Sequence, residues 1–343
     1  MMRASLIIWL GLAGAALLPA AKDLQIYFID VEGGQATLFV APSGESMLID
    51  TGWSGHNSRD AGRIAAIARH AGVKKIDYLV VTHYHEDHVG GVPQLAGKLP
   101  IRNFVDHGAT VETDQRASEL FKAYTEYREK GNHIQVKPGD TIPVKGLDVQ
   151  VLTSNGDVIT KPLAGGGQPN SLCAGAKLRE RDDSENARSV GTLITFGTFR
   201  AIDLGDLTWN KEHDLFCPDN KVGAAELYIV SHHGSELSGS PAMVQALHPL
   251  VAIMDNGARK GGTPEAWQAI HASPGLEDIW QLHYSIAGGK ENNTPDTFIA
   301  NPDELGDQGN WIRVTARPDG SFTVYNSRNK YTKTYAGAHS AGG

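Results

Sequence analysis

The feature that most constrains this chain is a cluster of possible metal ligands at the end of a strongly apolar segment. Residues 76–82 (IDYLVVT) are rich in β-branched side chains, which is typical of a strand buried on both faces. The sequence continues as HYHEDHVGG. In an extended chain residues i and i+2 face the same side, so His83 and His85 can share one metal ion. The turn that follows can direct Asp87 and His88 to a second position.

Neutral imidazoles combined with a carboxylate form the ligand set expected for zinc, and also for manganese or iron. The alternative is a cluster of solvated histidines with no metal. The chain has 14 histidines among 343 residues, so three of them at these fixed positions would be an improbable coincidence. The motif therefore predicts a metal site.

A site for two ions needs further ligands, and suitable side chains follow two other apolar segments. Asp206 comes after the predicted strand 199–204, where its carboxylate could bridge two metals or, alternatively, cap a turn. Asp203 is expected to give internal support. His232 and His233 follow the predicted strand 227–231. One of the two should bind the second metal, and the other should face substrate or support a ligand. We favour His232 as the ligand and His233 as a catalytic residue.

Strands alternate with helices in two similar halves, which predicts an α/β fold with two packed sheets and helices outside, an αββα sandwich. The long segment 154–188 fits neither pattern, and we expect a lid or substrate loop there rather than disorder. The predicted strands cover residues 24–31, 46–50, 76–82, 190–196, 199–204, 227–231 and 251–254, with a hairpin over 311–325. The predicted helices cover residues 58–71, 119–130, 241–247 and 264–272.

The N-terminus has the pattern of a secretory signal. Arg3 precedes an apolar stretch over 6–18, and the small residues Ala20 and Ala21 follow. The stretch is shorter than the ~20 residues that span a bilayer, although an uncleaved anchor is the alternative. We therefore expect a signal peptide over 1–21, one hydrolase domain over 22–335, a disordered tail over 336–343 and a periplasmic or secreted location.

The net charge of −8 and the sequence pI near 5.9 give no general attraction to nucleic acid or to an anionic membrane. We expect a small-molecule or phosphodiester substrate, no stable nucleic-acid binding, and no membrane contact after signal cleavage. A phosphate ester is not excluded, because metal ions can supply positive charge locally. Cys173 and Cys217 form no Cys-x-x-Cys motif, and either a disulfide or two thiols is compatible with the sequence.

These motifs together resemble the metallo-β-lactamase superfamily. Within it, the chain is similar to the extracellular hydrolase domain of the competence protein ComEC and its stand-alone relatives. The resemblance rests on FIDV at 28–31, LIDTG at 48–52, the histidine motif, LGD at 204–206 and HHGS at 232–235. It implies that Asp50 is a buried supporting residue. It also implies metal ligation by one histidine of the 232–233 pair together with His83, His85, Asp87, His88 and Asp206.

The sequence departs from the superfamily pattern in the segment ENARSV at 185–190, where many members have a further histidine for the first metal. ComEC-like members similarly have Asn and Ser there, so Asn186 is expected to border the site, and the first metal could be weakly bound or absent. The aspartate at 206 and the HHGS element argue against cleavage of antibiotics. Two other histidines, His107 and His283, follow predicted strands, and we expect packed or surface positions for them.

We expect two metal ions, with zinc as the first choice, to generate a hydroxide near neutral pH and to polarise the scissile bond. Asp87 would orient that hydroxide and accept its proton. A phosphodiester is the expected substrate because of the ComEC resemblance, which is an argument from analogy. The alternatives are hydrolysis of a cyclic amide, lactone or thioester, including a β-lactam, or a metal-binding surface protein without turnover.

Overall fold

The apolar segments of the sequence form strands and the amphipathic segments form helices in a computed structural model, which describes residues 23–303 and 308–337. The predicted signal peptide and most of the predicted tail lie outside the described residues. The strands are β1 Leu24–Phe28, β2 Thr37–Val40, β3 Ser46–Ile49, β4 Ile76–Val80, β5 Ile101–Asp106, β6 Asn132–Gln135, β7 Asp148–Ser154, β8 Asp157–Val158, β9 Gln168–Pro169, β10 Gly191–Phe196, β11 Phe199–Asp203, β12 Asp219–Asn220, β13 Leu227–Ile229, β14 Val251–Met254, β15 Asp278–His283, β16 Ile299–Asn301, β17 Ile312–Ala316, β18 Phe322–Asn326 and β19 Thr332–Tyr335. The α-helices are α1 Arg59–His70, α2 Glu86–Val89, α3 Val92–Ala96, α4 Gln115–Arg128, α5 Trp209–Phe216, α6 Pro241–Leu247 and α7 Pro264–His271.

Two large mixed sheets contain most of these strands. The first sheet has the order β19-β18-β17-β1-β2-β3-β4-β5-β6, and the second has β16-β15-β14-β13-β11-β10-β7-β8. β3, β4 and β5 run parallel to one another, as do β11, β13 and β14. The connections between these parallel strands include the helices, as parallel pairs require.

Three buried clusters define the layers of the fold. The central cluster joins side chains of both sheets, such as Phe28 from β1 and Ile253 from β14. A second cluster packs the first sheet against α1, α3 and α4, and Tyr27 points into it from β1. A third packs the second sheet against α5, α6 and α7. Neighbouring residues of one strand therefore enter different clusters, and the predicted αββα sandwich is confirmed.

The segment 154–188 follows an irregular path that is fastened to the outer helices. Cys173 and Cys217 form a disulfide, which decides between the two alternatives left open by the sequence. Asn170 donates hydrogen bonds to one carbonyl oxygen of α5 and one of α6. The indole of Trp209 donates to the carbonyl oxygen of Lys177, at 3.0 Å. A lid or substrate role for this segment stays a prediction.

Candidate metal centre

The predicted ligands converge at one edge of the sandwich, where strands of both sheets end. β4 leads into His83, β11 into Asp206, and β13 into His232 and His233. Because the carboxyl ends of parallel strands share an edge, residues that are distant in sequence meet there. His232 and His233 both adopt a left-handed backbone conformation, with φ of 54° and 55°. This turn reverses the chain immediately after a very short strand.

Four of the converging side chains form a compact group of ligand atoms. The donor atoms of Asp87, His88, Asp206 and His233 all lie within 4.8 Å of one another, and all four residues are buried. His88 Nε2 lies 3.3 Å from Asp206 Oδ1 and 3.2 Å from His233 Nε2. His233 Nε2 in turn lies 3.1 Å from Asp87 Oδ2. The second position predicted from the sequence therefore has four ligand atoms from both halves of the fold.

The other three histidine atoms face the opposite side of the same aspartate. His83 Nε2 lies 3.1 Å from His85 Nδ1 and 3.9 Å from Asp206 Oδ2. His232 Nε2 lies 3.3 Å from that same oxygen. Asp206 thus directs one carboxylate oxygen toward each half of the cluster.

Asp50 fixes the proton positions of two ligand histidines. Its Oδ2 accepts hydrogen bonds from His88 Nδ1 at 2.7 Å and from Thr82 Oγ1 at 2.6 Å. Since the Thr82 hydroxyl donates its only hydrogen to Asp50, it accepts one from His83 Nδ1, at 3.1 Å. Both histidines therefore keep a proton on Nδ1 and direct Nε2 into the cluster, the atom that would bind a metal. Asp50 is completely buried, as the family resemblance implies.

The remaining histidines are oriented by oxygen partners in the same way. His85 Nε2 donates to Glu112 Oε1 at 3.0 Å, which leaves His85 Nδ1 facing His83. His233 Nδ1 lies 3.4 Å from Asp255 Oδ1, which is within ion-pair range but does not meet hydrogen-bond geometry. Such carboxylate partners are typical of metal-binding histidines, because they fix the tautomer and the ring orientation.

The hydrogen-bond pattern itself tests whether a cation fits the cluster. His83 Nε2 and His85 Nδ1 are 3.1 Å apart, yet both rings use their N–H groups elsewhere, so two lone pairs face each other. Among the described residues Asp206 Oδ1 has no hydrogen-bond donor although it is buried. Buried acceptors without donors are costly unless a proton or a cation lies between them. The residues present therefore fit a divalent metal ion.

The charges of the cluster also favour cations. Burial works against charge on every group, but the neighbouring histidines, His88 first among them, hold the pKa of Asp206 and that of Asp87 well below their usual range. Burial and the neighbouring His88 push the pKa of His83 well below its usual value. The carboxylates of Asp206, Asp87 and Asp50 in turn overcome burial and raise the pKa of His88 well above its usual value. Without a metal, a proton on His88 therefore supplies positive charge that a bound cation would supply instead.

The structure corrects the assignment of the adjacent histidines. The sequence favoured His232 as the ligand beside Asp87 and His88, and His233 as the substrate-facing residue. Instead, His233 lies with Asp87 and His88, and His232 lies across Asp206 on the side of His83. The reason is the left-handed turn, which separates the two imidazole centroids by 6.2 Å and sets the rings at 80°. Alternation along a strand cannot predict this geometry.

Two histidines outside the motif are packed, as expected. His107 Nε2 lies 3.0 Å from Glu185 Oε2, and His283 Nε2 lies 2.7 Å from Asp30 Oδ1. The buried Glu185 also accepts from the backbone N–H of Tyr84, inside the metal motif. The sequence analysis missed this support. Asn186 directly follows Glu185, and its side-chain oxygen is buried without a hydrogen-bond partner among the described residues.

Asp203 has the supporting role that the sequence predicts. Its carboxyl accepts hydrogen bonds from the Gln35 side chain and the Gly205 backbone. Burial, reinforced by the negative charges of Asp50 and Asp255, raises the pKa of Asp203 to about 8. Asp203 is therefore protonated near neutral pH and is distinct from the ionised ligand Asp206.

A lysine and a tryptophan at the cluster were not predicted. The Lys260 ammonium contacts the Asp87 carboxylate and lies 4.8 Å from the centroid of the Trp53 ring. Their sequence context gives no local signal, because Lys260 lies in a loop after β14. An open cleft of about 280 Å³ gives access to the cluster, and its lining includes Trp53, Tyr84, His85, Asp87, Glu112 and Arg116.

In the described ranges 23–303 and 308–337, no helix has the length and apolar character that crossing a bilayer requires.

Comparisons with known proteins match these observations. Residues 30–174 match the sequence model of the family described as the Metallo-beta-lactamase superfamily. ComE operon protein 3 of Bacillus subtilis (strain 168) is 26% identical over 253 residues, which is 69% of this chain and 29% of that protein. The chain therefore spans less than a third of this relative's length.

Two solved structures are similar to the chain at low sequence identity. The metallo-beta-lactamase fold protein YhfI from Bacillus subtilis is 13% identical, with a TM-score of 0.44 over 75% of this chain and 96% of that chain. CmlA, a diiron beta-hydroxylase from Streptomyces venezuelae, is 15% identical, with a TM-score of 0.40 over 76% of this chain and 48% of that chain.

Proposed function

We propose that this chain, which belongs to the metallo-β-lactamase superfamily, is a hydrolase that uses two divalent metal ions, most simply zinc. The observation that carries the proposal is the group formed by Asp87, His88, Asp206 and His233, whose ligand atoms lie within 4.8 Å of one another. Divalent cations held there would lower the pKa of a water molecule toward neutrality and polarise the scissile bond. His83 and His85 would complete the ligand set on the other side of Asp206.

The chain's own residues supply orientation and proton transfer. Asp87 lies at the boundary between the buried cluster and the open cleft. One of its oxygens contacts both His233 and Lys260. This carboxylate would accept a hydrogen bond from the attacking water, orient it and accept its proton. Asp50 would keep His83 and His88 in the ligating tautomer throughout.

We infer that the substrate is a phosphodiester or a related phosphate ester. Lys260 places a positive charge beside Asp87 and against the face of Trp53, where an anionic oxygen of a substrate would be attracted. The similarity to ComE operon protein 3 agrees with this choice but covers only part of that protein. With a net charge of −8, a small ester is favoured over a stably bound nucleic acid.

We also infer an oxidising location outside the cytoplasm. The disulfide between Cys173 and Cys217 supports it, because structural disulfides persist in secreted and periplasmic proteins. Export would follow from the predicted signal at the N-terminus.

The test combines metal analysis with two substrates. Purified protein is assayed with bis(p-nitrophenyl) phosphate and with nitrocefin, and its zinc, manganese and iron contents are measured. We expect phosphodiesterase activity that a chelator abolishes, and a loss of at least about 100-fold in Asp87→Asn, the range for a removed acid–base group. A matched control is His248→Asn, an exposed histidine in a left-handed conformation that Asn tolerates. A preference for nitrocefin would overturn the assignment of a phosphate-ester substrate, and the absence of bound metal would overturn the proposed function.

A further inference from the structure

The family resemblance implies a further histidine ligand for the first metal position, in the segment before β10. The segment at that point, residues 185–190, contains no histidine. The Glu185 carboxylate is occupied by His107, by the loop at Thr110 and Val111 and by the backbone N–H of Tyr84. Without a further ligand, the first position would have His83, His85 and one oxygen of Asp206 among the residues that the structure describes.

We propose that His232 takes the place of the missing ligand, so that both metal positions are complete. This inference rests on the proposed function, since it assumes that the cluster binds divalent ions. It differs from the sequence-based expectation, which placed His232 beside Asp87 and His88. It also gives a role to each of the two adjacent histidines in the turn after β13.

The distances around one carboxylate oxygen support this assignment. Asp206 Oδ2 lies 3.3 Å from His232 Nε2 and 3.9 Å from His83 Nε2, which is 3.1 Å from His85 Nδ1. In a tetrahedral site with bonds of about 2.1 Å, neighbouring ligand atoms are about 3.4 Å apart. The observed spacings lie on both sides of that value. The four atoms are less compact than the group around His233, so binding one ion would require these side chains to close around it.

The hydrogen bonds around His232 show which of its ring nitrogens is free to bind a metal. The Ser238 hydroxyl donates its only hydrogen to the carbonyl oxygen of Leu207, at 2.7 Å. It must therefore accept from His232 Nδ1, at 3.2 Å. His232 Nε2 is then an unprotonated acceptor that faces another acceptor, Asp206 Oδ2. A cation between the two atoms would satisfy both lone pairs.

The backbone holds His232 in this orientation. Its N–H donates to the carbonyl oxygen of Gly205, directly before Asp206, at 3.0 Å. Its φ of 54° belongs to the left-handed region, which a non-glycine residue keeps only where surrounding contacts require it. The adjacent His233 has the same conformation and directs its ring to the other oxygen of Asp206. One turn thus provides one histidine for each side of the bridging carboxylate.

The test is the metal stoichiometry and affinity of the full chain. Protein stripped with a chelator is titrated with Zn²⁺ against a chromophoric competitor, and bound metal is counted after desalting. Co²⁺ loading gives an independent spectrum of each position. We expect two equivalents in the unchanged protein and one in His232→Ala, with the remaining site little affected. Ser238→Ala keeps the ligand but removes its support, and should weaken the first position by about 10- to 100-fold.

Controls and outcomes separate this inference from the proposed function. His248→Asn removes a distant exposed histidine and should bind two equivalents, and circular dichroism checks the fold of each variant. Two equivalents with unchanged affinity in both His232→Ala and Ser238→Ala would overturn the inference. So would a single equivalent in the unchanged protein. Chelator-sensitive hydrolysis by that protein would then keep the metal-dependent hydrolase and remove only the second ion from the proposed function. No binding at all would overturn both.

Discussion

Replacing Asp50 with asparagine tests the idea that this buried carboxylate sets the tautomers of the ligand histidines. Asp50 Oδ2 accepts hydrogen bonds from His88 Nδ1 and the Thr82 hydroxyl. An amide nitrogen at that position donates instead of accepting, so His88 Nδ1 would become the acceptor. The His88 proton would then lie on Nε2, 3.3 Å from Asp206 Oδ1 and in the place of the metal.

The size of the effect follows from this exchange. Binding a metal would require His88 to return to its former tautomer, with its N–H facing the amide N–H. The hydrogen bond that is lost has a charged acceptor, and such bonds contribute about 1.5–3 kcal/mol. A loss of this size corresponds to a decrease in metal affinity of about 10- to 150-fold, which overlaps the range known for partners of ligand histidines.

The assay is a competition titration of metal-free protein with Zn²⁺, together with thermal unfolding of the metal-free form. Burial raises the pKa of Asp50, so a neutral amide should not unfold the metal-free protein. Asp106→Asn is the matched control, because Asp106 is also fully buried and accepts from Tyr124 and Arg128 outside the cluster. It should lower stability without changing affinity. A folded Asp50→Asn variant with the original affinity would refute the reasoning.

Three further predictions concern other residues. Asp203→Asn should flatten the pH dependence of stability. In the original protein the pKa of Asp203 is about 8 in the folded state and near 3.8 in the unfolded state, so the folded state binds more protons between these values. The original protein therefore loses stability as the pH rises from about 4 to 8. Urea unfolding of metal-free protein should show a slope difference approaching about 1.4 kcal/mol per pH unit, and equal slopes would contradict this. Lys260→Met should raise the KM for bis(p-nitrophenyl) phosphate about tenfold with metal content unchanged, the loss expected for one charged hydrogen bond, and an unaltered KM would exclude this contact. Changing Cys173 and Cys217 to serine should lower the free energy of unfolding by about 4 kcal/mol, measured by urea titration, and an unchanged midpoint would show that the disulfide is not formed.

Much of the fold could be predicted because its strands are buried on both faces. A continuous apolar run such as β14, or a run with one charged residue such as β4, indicates a buried strand. α1 and α7 follow clear helical spacing. The start of α4 was wrong by four residues, because Asp114 caps the helix from within a polar stretch. α5 was missed altogether, since its sequence WNKEHDLF buries only three side chains.

The ligand residues could be found from the sequence because their chemistry is unusual and they follow strand ends. The residues that support the ligands could not be found from the sequence. Glu185, Asp255 and Ser238 lie near the cluster only because the fold brings these segments together. The arrangement of His232 and His233 depends on two positive φ angles, and no residue type specifies those angles. Nothing in the sequence around Lys260 distinguishes it from other lysines, and only the folded loop after β14 places it beside Asp87.

The ligands come from both sheets: Asp87 and His88 follow β4 of the first, whereas Asp206 and His233 follow strands of the second. An ion held by all four would act as a cross-link between the halves of the sandwich. Its binding free energy would then add to the resistance of the whole domain to unfolding, by about 2.7 kcal/mol at a free ion concentration 100 times the Kd. The melting temperature would rise with metal concentration. When the ion is scarce, the packing between the two sheets at the metal centre would be less stable.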